Sequence, residues 1–344
     1  MNKEIEAYYK ILSKDYPKFI DKYINTDSMQ RLSTIGQFCD ADYTKIHSCK
    51  YWFSRLDHSI ACALMTYKFT KDKKQVLATL FHDLGTPSFS HCVDYLLNDF
   101  INQESSERSI KDVILKSPEI INYLHEDRIN IEDVVDASKY TIMENKKPKI
   151  CVDRLEGIIG TGIVWCHFWN LEDVKEIYEN ITILKNKDGE DEIGFKTVEI
   201  ADKFFEGVFK YSISLQKNDD KFAMQFVADI LKCLISKKII ELDDLYKISE
   251  KEIIEIIKQD KDICESWKIY ENTTKVNSSD EKPNNIYYAS LNCKKRYVIP
   301  LVISDDKIAR LNEVSKKCEI LLDEYLNYED KEFSYVEKIK QLKF

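Results

Sequence analysis

Glycine and proline are scarce in this sequence: eight Gly and six Pro among 344 residues, about 4% against about 12% in an average protein. That excludes a turn-rich all-β protein and favours long helices with few breaks. Long apolar runs are missing too. The uncharged stretch from Gly157 to Leu171 contains His167 and Asn170 and falls short of the ~20 residues a membrane span needs. Met1-Asn2-Lys3-Glu4 leads into an amphipathic segment rather than an apolar signal core, so no secretory leader is expected. Basic excess is absent: 51 Lys+Arg face 60 Asp+Glu, a net charge of −9. A nucleic-acid coat or an anionic-membrane binder is therefore disfavoured, while a small basic pocket for phosphates is not. The ten cysteines are scattered with no Cys-x-x-Cys pair. Zinc ribbons and thioredoxin-like motifs are unsupported, and the expectation is a cytoplasmic protein with reduced thiols.

What is present builds a helical body. At 44% hydrophobic and 32% charged, the chain can bury a substantial core in one large or two modest domains. Residues 3–24 read as two short helices interrupted at Pro17. Ser59–Phe69 and Gln75–Phe81 are apolar enough for buried helices, and Ile110–Leu124, Ile131–Ile142, Val198–Gln216 and Phe222–Leu242 carry helical patterns. Asn186-Lys-Asp-Gly189 is a turn signal. Past the breaker-rich loop Asn272–Asn285 the texture changes, with β-like runs at Ile286–Ser290 and Tyr297–Ile303 before a last helix from Asp306 to Leu326. The expected fold class is mainly α: a helical domain over 1–245 with a small α+β appendage over 246–344.

Six histidines allow one-by-one inspection. A His followed by an acid should arise about once by chance here, and the chain has two, His82-Asp83 and His125-Glu126. Setting separates them. His82-Asp83 closes an apolar helix just before Gly85 and Pro87, His58 opens another buried helix, and Asp153 starts a third within Cys-Val-Asp-Arg-Leu-Glu. Polar groups at the ends of packed helices can converge on one cavity. Two imidazoles and two carboxylates form a mixed N/O site suited to Mn, Mg, Fe, Ni, Co or Zn, with positions open for water and a substrate oxygen. Alone, each group reads as a satisfied core histidine or a helix cap. His125-Glu126-Asp127, at a helix end, reads as solvated. Gly157-Ile-Ile-Gly-Thr-Gly162 follows a helix start rather than a strand, so it reads as close helix packing and not as a phosphate loop.

These residues resemble the HD-domain phosphohydrolase superfamily, whose ligand order is H…HD…D. The match is His58, His82-Asp83 and Asp153, and it extends further. Asp27-Ser-Met-Gln-Arg-Leu-Ser-Thr-Ile-Gly-Gln37, Arg55-Leu-Asp-His58-Ser and His82-Asp-Leu-Gly-Thr-Pro-Ser-Phe-Ser-His91-Cys-Val-Asp94 are similar to segments of dNTP triphosphohydrolases of the sterile-alpha-motif/HD type. Lys294-Lys-Arg-Tyr-Val-Ile-Pro300 is similar to a basic strand of the same group. The resemblance implies a divalent metal ion on His58, His82, Asp83 and Asp153. It implies Arg55 and Arg154 on phosphate oxygens, Gln37 near the nucleotide sugar, and His91, oriented by Asp94, at the leaving oxygen. Asp83 is counted with His91 and Asp94 among the catalytic residues.

The sequence departs from the family pattern at Thr86, Ser106 and Gly157, and the Thr-Pro-x-Phe-x-His form resembles a bacterial branch. Asn25 and Ser33 replace residues of the animal enzyme's activating guanine-nucleotide site, so that regulation is not implied. The expected activity is metal-dependent hydrolysis of a nucleotide phosphoester, a (deoxy)nucleoside triphosphate first. The alternatives are a nucleoside monophosphate, a cyclic nucleotide or another phosphoester as substrate, or a nucleotide-binding sensor of weak activity. The expected partner is a small nucleotide, with no membrane and no stable nucleic acid, in a homo-oligomer.

Overall fold

A computed structural model describes residues 2–103 and 108–342. Ser106, one of the departures noted above, lies outside the described residues. The architecture is a mainly α-helical body with a small β region toward the C-terminus. Among the described residues no helix is long and apolar enough to cross a membrane, and no disulfide joins any of the cysteines.

Three apolar cores organise the helices. The Arg55–Thr70 helix, buried along most of its length, runs between two of them. It sends Leu64 and Met65 into a core shared with Leu155 and Ile159 of the Val152–Val164 helix and Phe204 of the Val198–Ser214 helix. It sends Leu56 and Ala63 into a second core with Leu77 and Leu80 of the Lys73–Leu80 helix. The third core surrounds the Asn218–Ser236 helix, where Phe226 packs on Tyr270 of the Cys264–Asn272 helix and Tyr270 in turn on Trp267.

Helix ends follow local chemistry. Ser54 and Asp57 form a capping box, with Ser54 N donating to Asp57 Oδ2 (2.9 Å) and Asp57 N to Ser54 Oγ (3.1 Å). This fixes the turn that carries Arg55 and His58. The Ile110–Leu124 pattern is split into Ile110–Leu115 and Pro118–Glu126, because Pro118 cannot continue the first helix and suits the start of the second.

The structure corrects five element expectations. The Phe222–Leu242 helix ends at Ser236, and the Tyr297–Ile303 run becomes a strand only from Leu301. Ile131–Ile142 is not a helix but two 3₁₀ turns, Ile131–Asp133 and Ala137–Lys139; the side chain of Asp136 caps Ser138 N (3.0 Å) and restarts the chain between them. The Asn186–Gly189 turn joins two strands absent from the sequence expectation, Ile181–Lys185 and Asp191–Phe195, antiparallel with Ile183 opposite Ile193. The last helix is shorter than Asp306–Leu326: Lys307–Arg310 is a strand, and the helix runs Lys316–Leu326.

In the four-stranded sheet, Asp191–Phe195 pairs in parallel with Leu301–Ser304, which turns back through Asp305 and Asp306 onto Lys307–Arg310. A three-stranded sheet places Phe333–Tyr335 between Asn277–Ser279 and Tyr288–Ala289.

Candidate metal centre and cleft

His58, His82, Asp83 and Asp153 come from three helix ends and meet. His58 lies in the first turn of Arg55–Thr70, His82-Asp83 directly after Lys73–Leu80, and Asp153 in the first turn of Val152–Val164, where the helix dipole favours an acid. His58 Nε2 lies 3.2 Å from His82 Nε2 and 3.1 Å from Asp153 Oδ1. His82 Nε2 lies 3.5 Å from Asp153 Oδ1. Asp83 Oδ2 is 3.9 Å from His58 Nε2 and 3.7 Å from His82 Nε2.

Ligand atoms about 2.1 Å from one divalent ion stand roughly 3.0–3.4 Å apart in octahedral or tetrahedral geometry. The measured separations fit that pattern with little adjustment. The donor set, two imidazole nitrogens and two carboxylates, is suited to a divalent cation.

The orientation of the two rings strengthens the fit. His58 Nδ1 donates to Glu156 Oε2, and His82 Nδ1 donates to Thr79 O at 2.6 Å. Both Nδ1 hydrogens are committed, so both Nε2 atoms face the cluster, which is the orientation a metal-binding histidine needs. Without an ion the cluster favours a proton there. Burial alone would lower His82, yet Asp83 and Asp153 overcome it and hold the ring up at about 9, so a divalent cation would take the place of that proton. Burial alone would raise Asp83, yet His82, Arg55 and His58 hold it well below the usual carboxylate range. The same carboxylates that favour charged imidazoles attract a cation. Cys62, one turn on from His58 with Sγ 3.7 Å from its Nε2, stands within reach of the same cluster; without an ion, burial pushes its thiol up to about 12.

Glu156 was not foreseen. It is fully buried, accepts from His58, and takes a second bond from Tyr8 OH at 3.1 Å. Its signal was its spacing, three residues after Asp153 and so on the same helix face. Arg31 was also missed as a positioning residue. Its guanidinium donates to the carbonyls of Leu84 (2.9 Å) and Thr86 (2.8 Å), holding the turn that follows Asp83.

Arg55 is buried beside the cluster, donating to Asp83 Oδ2 (3.2 Å) and Ser90 Oγ (3.1 Å). Ser90 belongs to a loop in which Phe89 and Ser90 both have positive φ, 63° and 45°, a strained conformation for these side chains. Distant residues hold it: Ser88 N donates to Leu245 O (2.8 Å) and Phe89 N to Glu250 Oε1 (2.6 Å). The turn before it needs Gly85, since a Cβ there would stand 2.1 Å from Arg108 O. His91 follows the loop and donates from Nδ1 to the buried Asp94 Oδ2 at 2.9 Å, which leaves Nε2 as its free nitrogen. Burial keeps the His91 ring below the ordinary imidazole range despite Asp94.

A cleft of about 850 Å³ opens over the cluster, lined by His82, Asp83, His91, Asp153, Arg55 and Arg154 and by Lys294, Lys295 and Arg296; small-molecule sites typically span roughly 300–1,000 Å³. The basic segment Lys294–Arg296, which is coil rather than the expected strand, thus faces its own chain's cleft, where Lys294 Nζ donates to Asn102 O (2.5 Å) and Arg296 to Gln103. A smaller cavity of about 160 Å³ adjoins it, sharing Arg55, His91, Asp153 and Arg154 and adding Gln37, Asp40 and Asp220. Gln37 Oε1 is buried there without a hydrogen-bond partner. Arg154 lines both cavities but is engaged with its own neighbourhood, donating to Lys149 O (3.3 Å), Glu144 Oε1 (3.2 Å) and Asn145. Gly157 offers open space, with no atom within 4 Å of a built Cβ, whereas a Cβ on Gly162 would strike Phe168 at 2.6 Å. Close packing therefore explains Gly162 and not Gly157. His125 is exposed and apart from the cluster.

No family model matches the chain. It is 24% identical over 303 residues to the uncharacterized protein YdhJ of Bacillus subtilis (strain 168), an alignment covering 87% of this chain and 88% of that protein. The fold is similar to that of a hypothetical protein from Aquifex aeolicus, solved by crystallography, with a TM-score of 0.58, 17% identity, and 92% of this chain and 91% of the other covered. That likeness concerns the fold alone.

Proposed function

We propose that this protein is a metal-dependent phosphohydrolase of the HD type, acting on a nucleotide phosphoester and first on a (deoxy)nucleoside triphosphate. The observation that carries the reading is the pair of Nε2 atoms, turned by Glu156 and Thr79 toward Asp83 and Asp153 at the floor of a basic cleft. A divalent ion held by His58, His82, Asp83 and Asp153 would supply Lewis acidity and an activated water at neutral pH.

The chain's own groups supply the rest. Arg55, pinned by Asp83 and Ser90, offers a guanidinium beside the reacting phosphate. Lys294, Lys295 and Arg296 bring positive charge to a polyphosphate lying along the cleft. His91, anchored through Nδ1 by Asp94, presents Nε2 to the leaving oxygen and would pass it a proton from the imidazolium form, which a nearby phosphate favours. Gln37 Oε1, lacking a partner, is available to a sugar hydroxyl.

The engagement of Arg154 with Glu144, Lys149 and Asn145 favours a second reading, in which fewer phosphates are gripped and the ligand is a monophosphate or other phosphoester, or is bound with little turnover.

One experiment separates these readings. Nucleoside tri- and monophosphates and cyclic nucleotides are incubated with Mn, Mg, Co or Ni, and the products are resolved by chromatography, beside Asp83→Ala. Release of inorganic triphosphate that is absent in Asp83→Ala is the expected result. Orthophosphate from monophosphates would support the second reading, as would tight binding without product. Undiminished hydrolysis by Asp83→Ala would remove the metal-dependent assignment.

A further inference from the structure

A second convergence of donors lies outside the cluster already described. Asp40 belongs to the 3₁₀ turn Cys39–Tyr43, His47 to the loop that follows, and Asp220 to the first turn of the Asn218–Ser236 helix. One donor atom from each lies within 4.8 Å of the others. Asp40 is 1% and Asp220 6% exposed, and the side chain of His47 is 10% exposed.

Two of these donors have no bonding partner. Asp40 Oδ2 and His47 Nε2 are buried, accept and donate no hydrogen bond, and stand 3.9 Å apart, too far to bond each other. Leaving a buried acceptor unmatched costs about 1–3 kcal/mol, more if it is charged. Two carboxylates beside one another compound that cost. Arg296 and Lys221 act on Asp220 without overcoming its burial, and no group bonds the two orphaned atoms. Tyr270 OH reaches only the backbone carbonyl of Asp40 (3.1 Å). The Trp165 ring stands edge-on to His47, centroids 4.9 Å apart, and has no lone pair or charge to offer.

We propose that Asp40, His47 and Asp220 form a second divalent-cation site, separate from the His58/His82/Asp83/Asp153 cluster and on the wall of the smaller cavity. One imidazole and two carboxylates suit a borderline first-row ion such as Zn²⁺ or Mn²⁺. Bonds of about 2.0–2.2 Å require the donors to draw together by roughly 1 Å. Burial, the largest influence on each group, acts in a consistent direction. It favours the uncharged form of all three, holding His47 down to about 4 and raising both Asp40 and Asp220, the latter to about 8, so the two acids hold protons until a cation displaces them. A nearby cation would reverse the rise at Asp220. Asp40 and Asp220 both line the cavity, so remaining coordination positions face a space that water or part of a bound ligand can enter.

This site stands whether or not the proposed hydrolysis occurs, and its test does not use activity. The full-length protein is stripped with chelator and dialysed against Zn²⁺, and bound metal is counted by mass spectrometry. His47→Gln and Asp40→Asn should each lose one equivalent relative to the parent, and His82→Ala should retain that equivalent. In parallel, Co²⁺ should quench tryptophan emission from Trp165, with the quench absent in His47→Gln and in Trp165→Phe. His47 sits in a loop, so His47→Gln remains readable if Asp40→Asn fails to fold. Parent stoichiometry preserved in His47→Gln overturns the proposal, as does complete loss of metal in His82→Ala.

Discussion

His58 donates from Nδ1 to Glu156, which lies one helical turn beyond Asp153 on the same helix. A single helix therefore supplies both a candidate ligand and the carboxylate that orients another. Outer carboxylates of this kind typically set metal affinity by 10–100-fold. Glu156→Gln is expected to weaken metal binding by about that factor, while the fold is kept, because Gln retains an acceptor for Tyr8. Isothermal titration with Mn²⁺ measures it. Affinity equal to the parent's would show that Glu156 only fills space.

Arg55 bridges Asp83 and Ser90 with separate nitrogens of one guanidinium. A lysine has the charge but no fork. Arg55→Lys should raise KM for a phosphoester substrate about 10-fold, equivalent to roughly 1.4 kcal/mol, with a smaller effect on kcat. Steady-state kinetics check the split, and an unchanged KM would place Arg55 in scaffolding alone.

Glu250 joins three segments: it accepts from Gly36 N (2.9 Å), Phe89 N (2.6 Å) and Tyr43 OH. Burial nevertheless pushes its carboxyl up to about 8 from an ordinary 4.5. Between those values the folded state binds more protons than the unfolded one at this group, so its contribution to stability falls as pH rises. Glu250→Gln cannot lose a proton but places an amide hydrogen against a backbone N–H. The variant should be less stable than the parent at pH 5, and the gap should narrow toward pH 8. Urea unfolding at several pH values tests this, and parallel profiles would refute it.

Gly157 lies in a helix facing the smaller cavity with free space around it. Gly157→Ala should stabilise the protein by about 1 kcal/mol, the usual helix-propensity gain. Gly157→Tyr should fold equally well but weaken ligand binding by filling the cavity. Thermal melts and nucleotide-binding titrations separate the two effects. A destabilised Gly157→Ala would mean that the helix itself needs the glycine.

Much of the helical body was legible because its signals are local. The break at Pro17 and the apolar runs mark helices directly; the Ser54–Asp57 capping box and the break at Pro118 are equally local signals, the latter hidden by the apolar pattern of 110–124. The segment 131–142 misled because Ile131, Val134 and Val135 keep a helical spacing while Asp136 and Ser138 close their own turn. The strand Lys307–Arg310 was read as helix because its four residues carry no alternation strong enough to declare it. Its pairing with Leu301–Ser304, through two left-handed residues at Asp305 and Asp306, decides its state.

The order of residues alone determined the mainly α architecture, and the placement of His58, His82-Asp83 and Asp153 at helix ends, since caps and periodicity act within a few residues. Only the tertiary structure decided that these ends meet, that Glu156 and Thr79 orient the two rings, and that Lys294–Arg296 face the cleft of their own chain. It also brought Asp40, His47 and Asp220 together from three unrelated positions. Such meetings depend on how whole helices pack against shared apolar cores, and no short stretch of sequence carries that information.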